Sequence, residues 1–208
     1  MIGRLHVITD TRPGRDPVAV VAAALEAGAP VIQVRGKELT DRQLYELTCR
    51  VRDRCASHGA LCLVNDRIDV ALATGADGAH LGDHDLPVAV ARRVLDGCGP
   101  GSVLGATARN PATAVTHQAA GATYLGVGPC FATATKHGLP PPLEPALVAS
   151  IAAAVEIPVI AVAGVTAARM PELVERGAHG VAVIGAVSDA DDPHAAVEEL
   201  LRALECTP

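Results

Sequence analysis

Three observations in the sequence predict a closed (β/α)8 barrel. First, short apolar runs alternate with longer helix-like stretches eight times along 208 residues. Second, most of the runs are apolar almost throughout, as parallel strands covered on both faces are, rather than alternating like half-exposed strands. Third, the phrase "EAGAPVIQV" (26–34) recurs loosely as "ATGADGAHL" (73–81), "AAGATYLGV" (119–127) and "ERGAHGVAV" (175–183). Each copy joins a helix end, a glycine and the next strand. The competing architecture is a doubly wound open sheet. That fold usually carries a glycine fingerprint after its first strand, and "VITDTRPG" (7–14) is not one. The expectation is a TIM barrel that occupies residues 1–208 as one domain with little insertion.

The elements follow in order. The run "LHVIT" (5–9) leads to "PVAVVAAALEAG" (17–28), with Pro17 near the start and Gly28 at the end, the usual helix asymmetry. "VIQVR" (31–35) leads to a helix over 40–58, with Thr40 placed as its N-cap. "LCLVN" (61–65) and "GAHL" (78–81) precede short helices. "SVLGAT" (102–107), "TYLGVG" (123–128) and "PVIAVAG" (158–164) supply the next three strands. A helix over 166–177 starts at Thr166 and ends at Gly177. "GVAVIGAV" (180–187) is the eighth run, and the last helix spans 192–204.

Composition excludes several classes. Half the residues are apolar, but there are only two tyrosines, one phenylalanine and no tryptophan, so Ala, Val and Leu must fill the core. The net charge of −6 argues against non-specific nucleic-acid binding, which needs a basic face. No stretch approaches the ~18 unbroken apolar residues of a membrane span, and "MIGRLHVITD" lacks a signal-peptide layout. The six cysteines (49, 55, 62, 98, 130, 206) form no C-x-x-C pair and read as reduced, buried thiols. The expected setting is cytoplasmic. The expected partners are small phosphorylated molecules, with neither nucleic acid nor membrane; a homo-oligomer stays open.

In such a barrel the chemistry sits at the C-terminal ends of the strands. Strand 2 ends in Gln33, Arg35 and Lys37, which share one face because strand residues alternate. Arg holds two anion oxygens at once and Lys adds a mobile point charge, so this ladder suits a phosphate. Strand 3 ends in Asn65 and Asp66, and strand 4 is followed by Asp83 and Asp85. Carboxylates at adjacent strand ends, together with phosphate oxygens and water, suit Mg²⁺; Asp66 and Asp85 would equally suit helix N-caps. Thr107 ends strand 5. After strand 6, "GPCFATATK" (128–136) offers hydroxyls at Thr133 and Thr135 and a cation at Lys136, which joins Arg35 and Lys37 as an anion centre. Cys130 has no evident His partner and reads as packing. Gly164 and the Ile184-Gly185 pair fall where loops after strands 7 and 8 bind phosphate through backbone N–H groups. His80 is read as packing at a strand end. Two anion centres facing one another suggest a transferase that joins two phosphorylated molecules. No Ser/His/Asp triad is suggested.

These pieces resemble the thiamine-phosphate synthase family over almost the whole chain. They are "IQVRGK" (32–37), "VNDRIDVALATGADGAHLGDHDLP" (64–87), "GVGPCFATATK" (126–136), "IPVIAVAGV" (157–165) and "GVAVIGAV" (180–187). The resemblance implies a barrel that couples hydroxymethylpyrimidine pyrophosphate to hydroxyethylthiazole phosphate. Pyrophosphate would leave first, and the thiazole nitrogen would then attack the pyrimidine carbocation. Gln33, Arg35, Lys37, Asn65 and Lys136 would hold the pyrophosphate, and Asp66 and Asp85 the Mg²⁺. Thr107 would stand where Ser is usual, Thr133 and Thr135 would contact substrate, and Gly164, Ile184 and Gly185 would bind the thiazole phosphate. Gly36, Asp83, Ala163 and Gly185 depart from the family's usual residues. "HGLPPPLEP" (137–145) looks closer to the related thiazole tautomerase, so a tautomerase-like enzyme is the alternative, with a non-catalytic phosphate-binding barrel as a third reading.

Overall fold

The computed structural model describes residues 2–97, 101–133, 135 and 138–206. In chain order the elements are β1 (Leu5–Ile8), α1 (Pro17–Glu26), β2 (Val31–Val34), α2 (Asp41–His58), β3 (Leu61–Asn65) and α3 (Ile68–Thr74). Next come β4 (Gly78–Leu81), α4 (Val88–Asp96), β5 (Val103–Ala108), α5 (Pro111–Ala119), β6 (Tyr124–Val127) and α6 (Pro145–Ala153). The chain finishes with β7 (Val159–Val162), a 3-10 turn (Ala167–Arg169), α7 (Met170–Glu175), β8 (Gly180–Val183), α8 (Gly185–Ser188) and α9 (Pro193–Glu205). The eight strands are parallel, and β8 pairs back to β1, which closes the barrel.

Local chemistry explains the helix starts. Asp16 accepts from the N–H groups of Val18 and Ala19 ahead of α1. Thr40 and Gln43 form a reciprocal capping box on α2, and Gly59 ends it in a left-handed conformation. Asn110 caps α5 and Asp192 caps α9.

Alternation along each strand separates two cores. Leu5, Val7, Ile32, Val34, Cys62, Val64, Ala79 and Leu81 face the helices. Ile8, Val31, Leu63, Tyr124, Ile160 and Ala182 fill the barrel interior. The cysteines at 49, 55, 62, 130 and 206 are unpaired; three of them, Cys55, Cys62 and Cys130, are buried. Cys98 lies outside the described residues. Among those residues no helix is long and apolar enough to cross a membrane.

Two sequence expectations shift. The run 180–187 is not one strand: β8 stops at Val183, Ile184 turns away at φ −120° and ψ −78°, and Gly185 opens the short α8. An apolar run carries no signal that separates strand from buried helix. The helix expected from Thr166 begins instead as a 3-10 turn before α7.

The interior is tight around Tyr124, which is fully buried. A Cβ on Gly105 would sit 2.2 Å from the Tyr124 ring and 2.4 Å from His80 Nδ1. Gly105→Ala is therefore expected to destabilise the fold by about 1–3 kcal/mol through overpacking. Urea denaturation checks it; an unchanged midpoint would mean the ring moves aside freely.

Candidate active site

The upper barrel opens into a cavity of about 330 Å³. Gln33, Arg35, Lys37, Asn65, Asp66, Asp85 and Thr107 all line it, together with His6, Asp83, Arg109 and Tyr124. Strand alternation alone brings most of this set together. Inward positions of β2, β3, β4 and β5 are polar only at their C-terminal ends.

Arg35 is held by an extension of the β1–β2 ladder. The Thr9 hydroxyl donates to Arg35 O at 2.9 Å and accepts from Arg35 N–H at 2.8 Å. Its guanidinium has no hydrogen-bond or ion-pair partner among the described residues. Burial pulls its pKa below the ordinary value, while Asp66, Asp10 and Glu38 oppose that electrostatically. Arg stays charged in proteins, so a half-buried, unpartnered fork facing the cavity favours an anion there.

Lys37 pairs with Asp66. Asp66 sits at φ 65°, a left-handed conformation that Asp tolerates better than most residues, and its N–H donates to His80 O at 2.7 Å. Asp85 accepts from Gly82 N–H at 2.6 Å. Neither carboxylate is a helix cap: α3 is preceded by Arg67 and α4 by Pro87, with no side-chain cap at either. The two carboxyls shift each other's ionisation in opposite directions. For Asp66, burial raises the pKa, but hydrogen bonds with Asp85 and Lys37 outweigh it and leave the group below its ordinary value. For Asp85, burial and then Asp66 push the carboxyl up, against the Gly82 N–H.

Two carboxyls that perturb each other mark where a cation would fit. Two hard carboxylates supply two ligands and leave other positions for phosphate oxygens and water, the pattern Mg²⁺ prefers. Among the described residues no three His, Cys, Asp or Glu side chains converge as a metal site.

Behind them lies a polar layer that the sequence reading missed in part. His80 Nδ1 is 3.0 Å from Tyr124 Oη, and its Nε2 is 3.2 Å from Thr107 Oγ1. His80 is thus a hydrogen-bonding member of the floor, stacked on Tyr124, rather than only packing. His6 is fully buried; Nε2 donates to Gly3 O at 3.1 Å, and burial first, then the charges of His80 and His179, lower its pKa to about 3. It is a neutral imidazole, edge-on to Tyr124 at 5.1 Å. Arg109 donates to Gly128 O at 2.9 Å and Pro141 O at 3.1 Å, and so ties two loops beside the cavity. It follows Thr107 by two residues, the inward spacing that could have found it.

A second pocket of about 280 Å³ adjoins the first. Gly164, Ile184 and Gly185 line it, and Ile184 lines both. Thr133 and Thr135 line this pocket and not the first cavity, and their hydroxyls are 2.8 Å apart. This places them away from Arg35 and Lys37, which line the first cavity. The reason is a stitch: Cys130 N–H donates to Val162 O at 2.9 Å and Phe131 N–H to Ala163 O at 3.1 Å, which carries the loop after β6 towards β7 and β8. Ala163 and Gly164 are both left-handed, at φ 74° and 65°. A Cβ on Gly164 would meet Ala132 O at 2.6 Å, so only glycine fits there. Arg169 and Asp189 also line this pocket, unforeseen from sequence. Arg169 donates to Gly164 O at 2.6 Å and stacks 4.5 Å over Phe131. Cys130 is buried, with its thiol pushed up to about 11 by burial, in keeping with a packing role. Lys136 lies outside the described residues.

The carboxyl pair yields a stability test. Asp85 has a folded pKa above its unfolded value, so its contribution is full below about pH 4, the unfolded carboxylate pKa, and is lost as pH rises through the raised value. Asp66 runs the other way: its contribution is present above the unfolded pKa and lost as pH falls through the depressed one. Asp85→Asn mimics the protonated acid. It is expected to keep or raise stability at neutral pH without metal, and to flatten the fall with rising pH. Denaturant titrations from acidic to neutral pH check this; a less stable variant at neutral pH contradicts it.

The chain matches the thiamine monophosphate synthase family over residues 5–187. It is 57% identical over 208 residues to the thiamine-phosphate synthase of Salinispora arenicola, covering 99% of each chain. It is 44% identical over 198 residues to the thiamine-phosphate synthase of Haloquadratum walsbyi, covering 94% of this chain and 87% of that one. The solved thiamine phosphate pyrophosphorylase of Pyrococcus furiosus superposes with a TM-score of 0.87 at 37% identity, covering 97% of this chain and 95% of that one. Likeness at this level favours the synthase reading over the tautomerase-like alternative. With a closed eight-stranded barrel and a match over nearly its whole length, the chain belongs to the thiamine-phosphate synthase family of transferases.

Proposed function

We propose that this chain couples hydroxymethylpyrimidine pyrophosphate to hydroxyethylthiazole phosphate and releases pyrophosphate. The observation that supports this most is the pair of adjoining pockets with a common wall. Val162, Ala163, Ala182 and Ile184 line both, so groups held in the two pockets meet across that wall.

In this reading the first cavity takes the pyrimidine pyrophosphate. Arg35, Lys37 and Lys136 hold the leaving group as its C–O bond breaks and it departs with the electron pair. Gln33, Asn65 and Thr107 orient the substrate. Asp66 and Asp85 hold Mg²⁺, which when bound neutralises charge on the leaving pyrophosphate. The second pocket takes the thiazole phosphate on Gly164, Ile184 and Gly185, beside Thr133 and Thr135. The thiazole nitrogen then donates its lone pair to the pyrimidine methylene carbon and forms the new C–N bond. No side chain has to act as base. The catalytic demand is preorganised positive charge on the leaving group, which favours fixed cations over a nucleophile. We read residues 1–208 as one domain of a cytoplasmic enzyme, with neither nucleic acid nor membrane among its partners; a homo-oligomer is compatible with this reading.

Purified protein supplied with both substrates and millimolar Mg²⁺ is expected to form thiamine phosphate and pyrophosphate, and to stop when the metal is chelated. Absence of product from folded protein would refute the assignment; conversion of the thiazole tautomer without metal would favour the tautomerase. Asp85→Ala is expected to abolish turnover with the fold intact by circular dichroism. Arg35→Ala is expected to raise KM for the pyrimidine pyrophosphate by about tenfold to a hundredfold, the loss of one charged hydrogen-bonding group; an unchanged KM removes Arg35 from the anion site.

A further inference from the structure

The second pocket has an electrostatic problem. Asp189 lines it, and a Cβ on Gly185 would lie only 2.7 Å from Asp189 Oδ2. A carboxylate in that position repels a phosphate. Its other oxygen is occupied from behind. Arg12 Nη2 is 3.0 Å from Asp189 Oδ1, and Arg15 pairs with the same oxygen. The two arginines come from the loop after β1, at the opposite end of the sequence.

Both arginines are anchored independently of Asp189. Arg12 Nε donates to Asp10 Oδ1 at 2.9 Å. Asp10 is buried and also accepts from the Ser188 hydroxyl at 2.8 Å. Arg15 Nη1 donates to Ser188 O at 2.9 Å. The cluster therefore holds two positive and two negative charges on a fixed frame. Neither arginine lines the pocket; Asp189 stands between them and it.

We propose that Arg12 and Arg15 are specificity-determining positioning residues, which neutralise and orient Asp189 so that the second pocket accepts a phosphate group. The inference rests on the reading that this pocket takes the phosphate of the second substrate. The arginines act through Asp189 and not by touching phosphate. The role goes beyond the backbone N–H cradle, because it places the tuning charge on the loop after β1 and at the C-terminal end of α8.

The test compares Arg15→Ala, Asp189→Asn and the double variant in two assays. One titrates inorganic phosphate by calorimetry; the other measures KM for the thiazole phosphate. Arg15→Ala should weaken phosphate binding and raise that KM by about three- to tenfold, with KM for the pyrimidine substrate affected much less. Asp189→Asn should tighten phosphate binding. The double variant should match Asp189→Asn to within about twofold, since the arginine is needed only while the carboxylate is there. An unaffected Arg15→Ala, or a double variant as weak as Arg15→Ala, overturns the proposal; the second result would mean direct contact with phosphate. If Arg15→Ala fails to fold, Asp189→Asn alone decides: tighter phosphate binding supports the proposal, and unchanged or weaker binding overturns it. Failure of the wild type to make thiamine phosphate would sink the functional reading and leave the calorimetric result to judge this inference separately.

Discussion

Closure of eight parallel strands is the constraint from which the site follows. Once β8 pairs with β1, every strand residue must face either the helices or a narrow interior of fixed width. Lower inward positions are apolar and pack on one another. Towards the C-terminal end they turn polar, through Gln33, Asn65, His80 and Thr107, and the barrel widens into a cavity. The bulky pair Tyr124 and His80 is admitted only because β5 and β6 place Gly105 and Gly126 against it. Small residues on two strands thus set the height at which filling stops and the cavity begins.

Charge is arranged with similar economy. The protein is acidic overall, yet Arg35 faces the cavity without a partner among the described residues, while Lys37 is engaged by Asp66. Asp85 lies near enough to Asp66 that each shifts the other's ionisation, with Asp85 pushed up by burial and then by Asp66. Lys37 and Asp85 thus act on the same carboxylate from opposite electrical signs.

Much of this was legible in the sequence because barrels translate strand position into spatial position. Arg35 and Lys37 could be placed beside Asp66 and Asp85 from alternation and strand count alone. The loop after β6 could not be placed that way. Thr133 and Thr135 line the second pocket because two backbone hydrogen bonds to Val162 and Ala163 steer the loop sideways, and backbone pairing leaves no trace in composition. Asp189 was invisible for another reason: its partners Arg12 and Arg15 lie 177 and 174 residues away, and each of the three reads alone as an ordinary surface charge. His6 sits in an apolar run where a neutral imidazole behaves as another packing residue.

The wall between the pockets has a consequence for how such an enzyme can change. Val162, Ala163, Ala182 and Ile184 line both pockets at once. A substitution there moves two affinities together, and an improvement for one ring is tied to the fit of the other. Thr133, Thr135 and Asp189 line only the second pocket, and Arg35, Asn65 and Thr107 only the first. Adaptation to an altered substrate can proceed through those unshared positions one ring at a time, while the partition itself resists piecemeal variation.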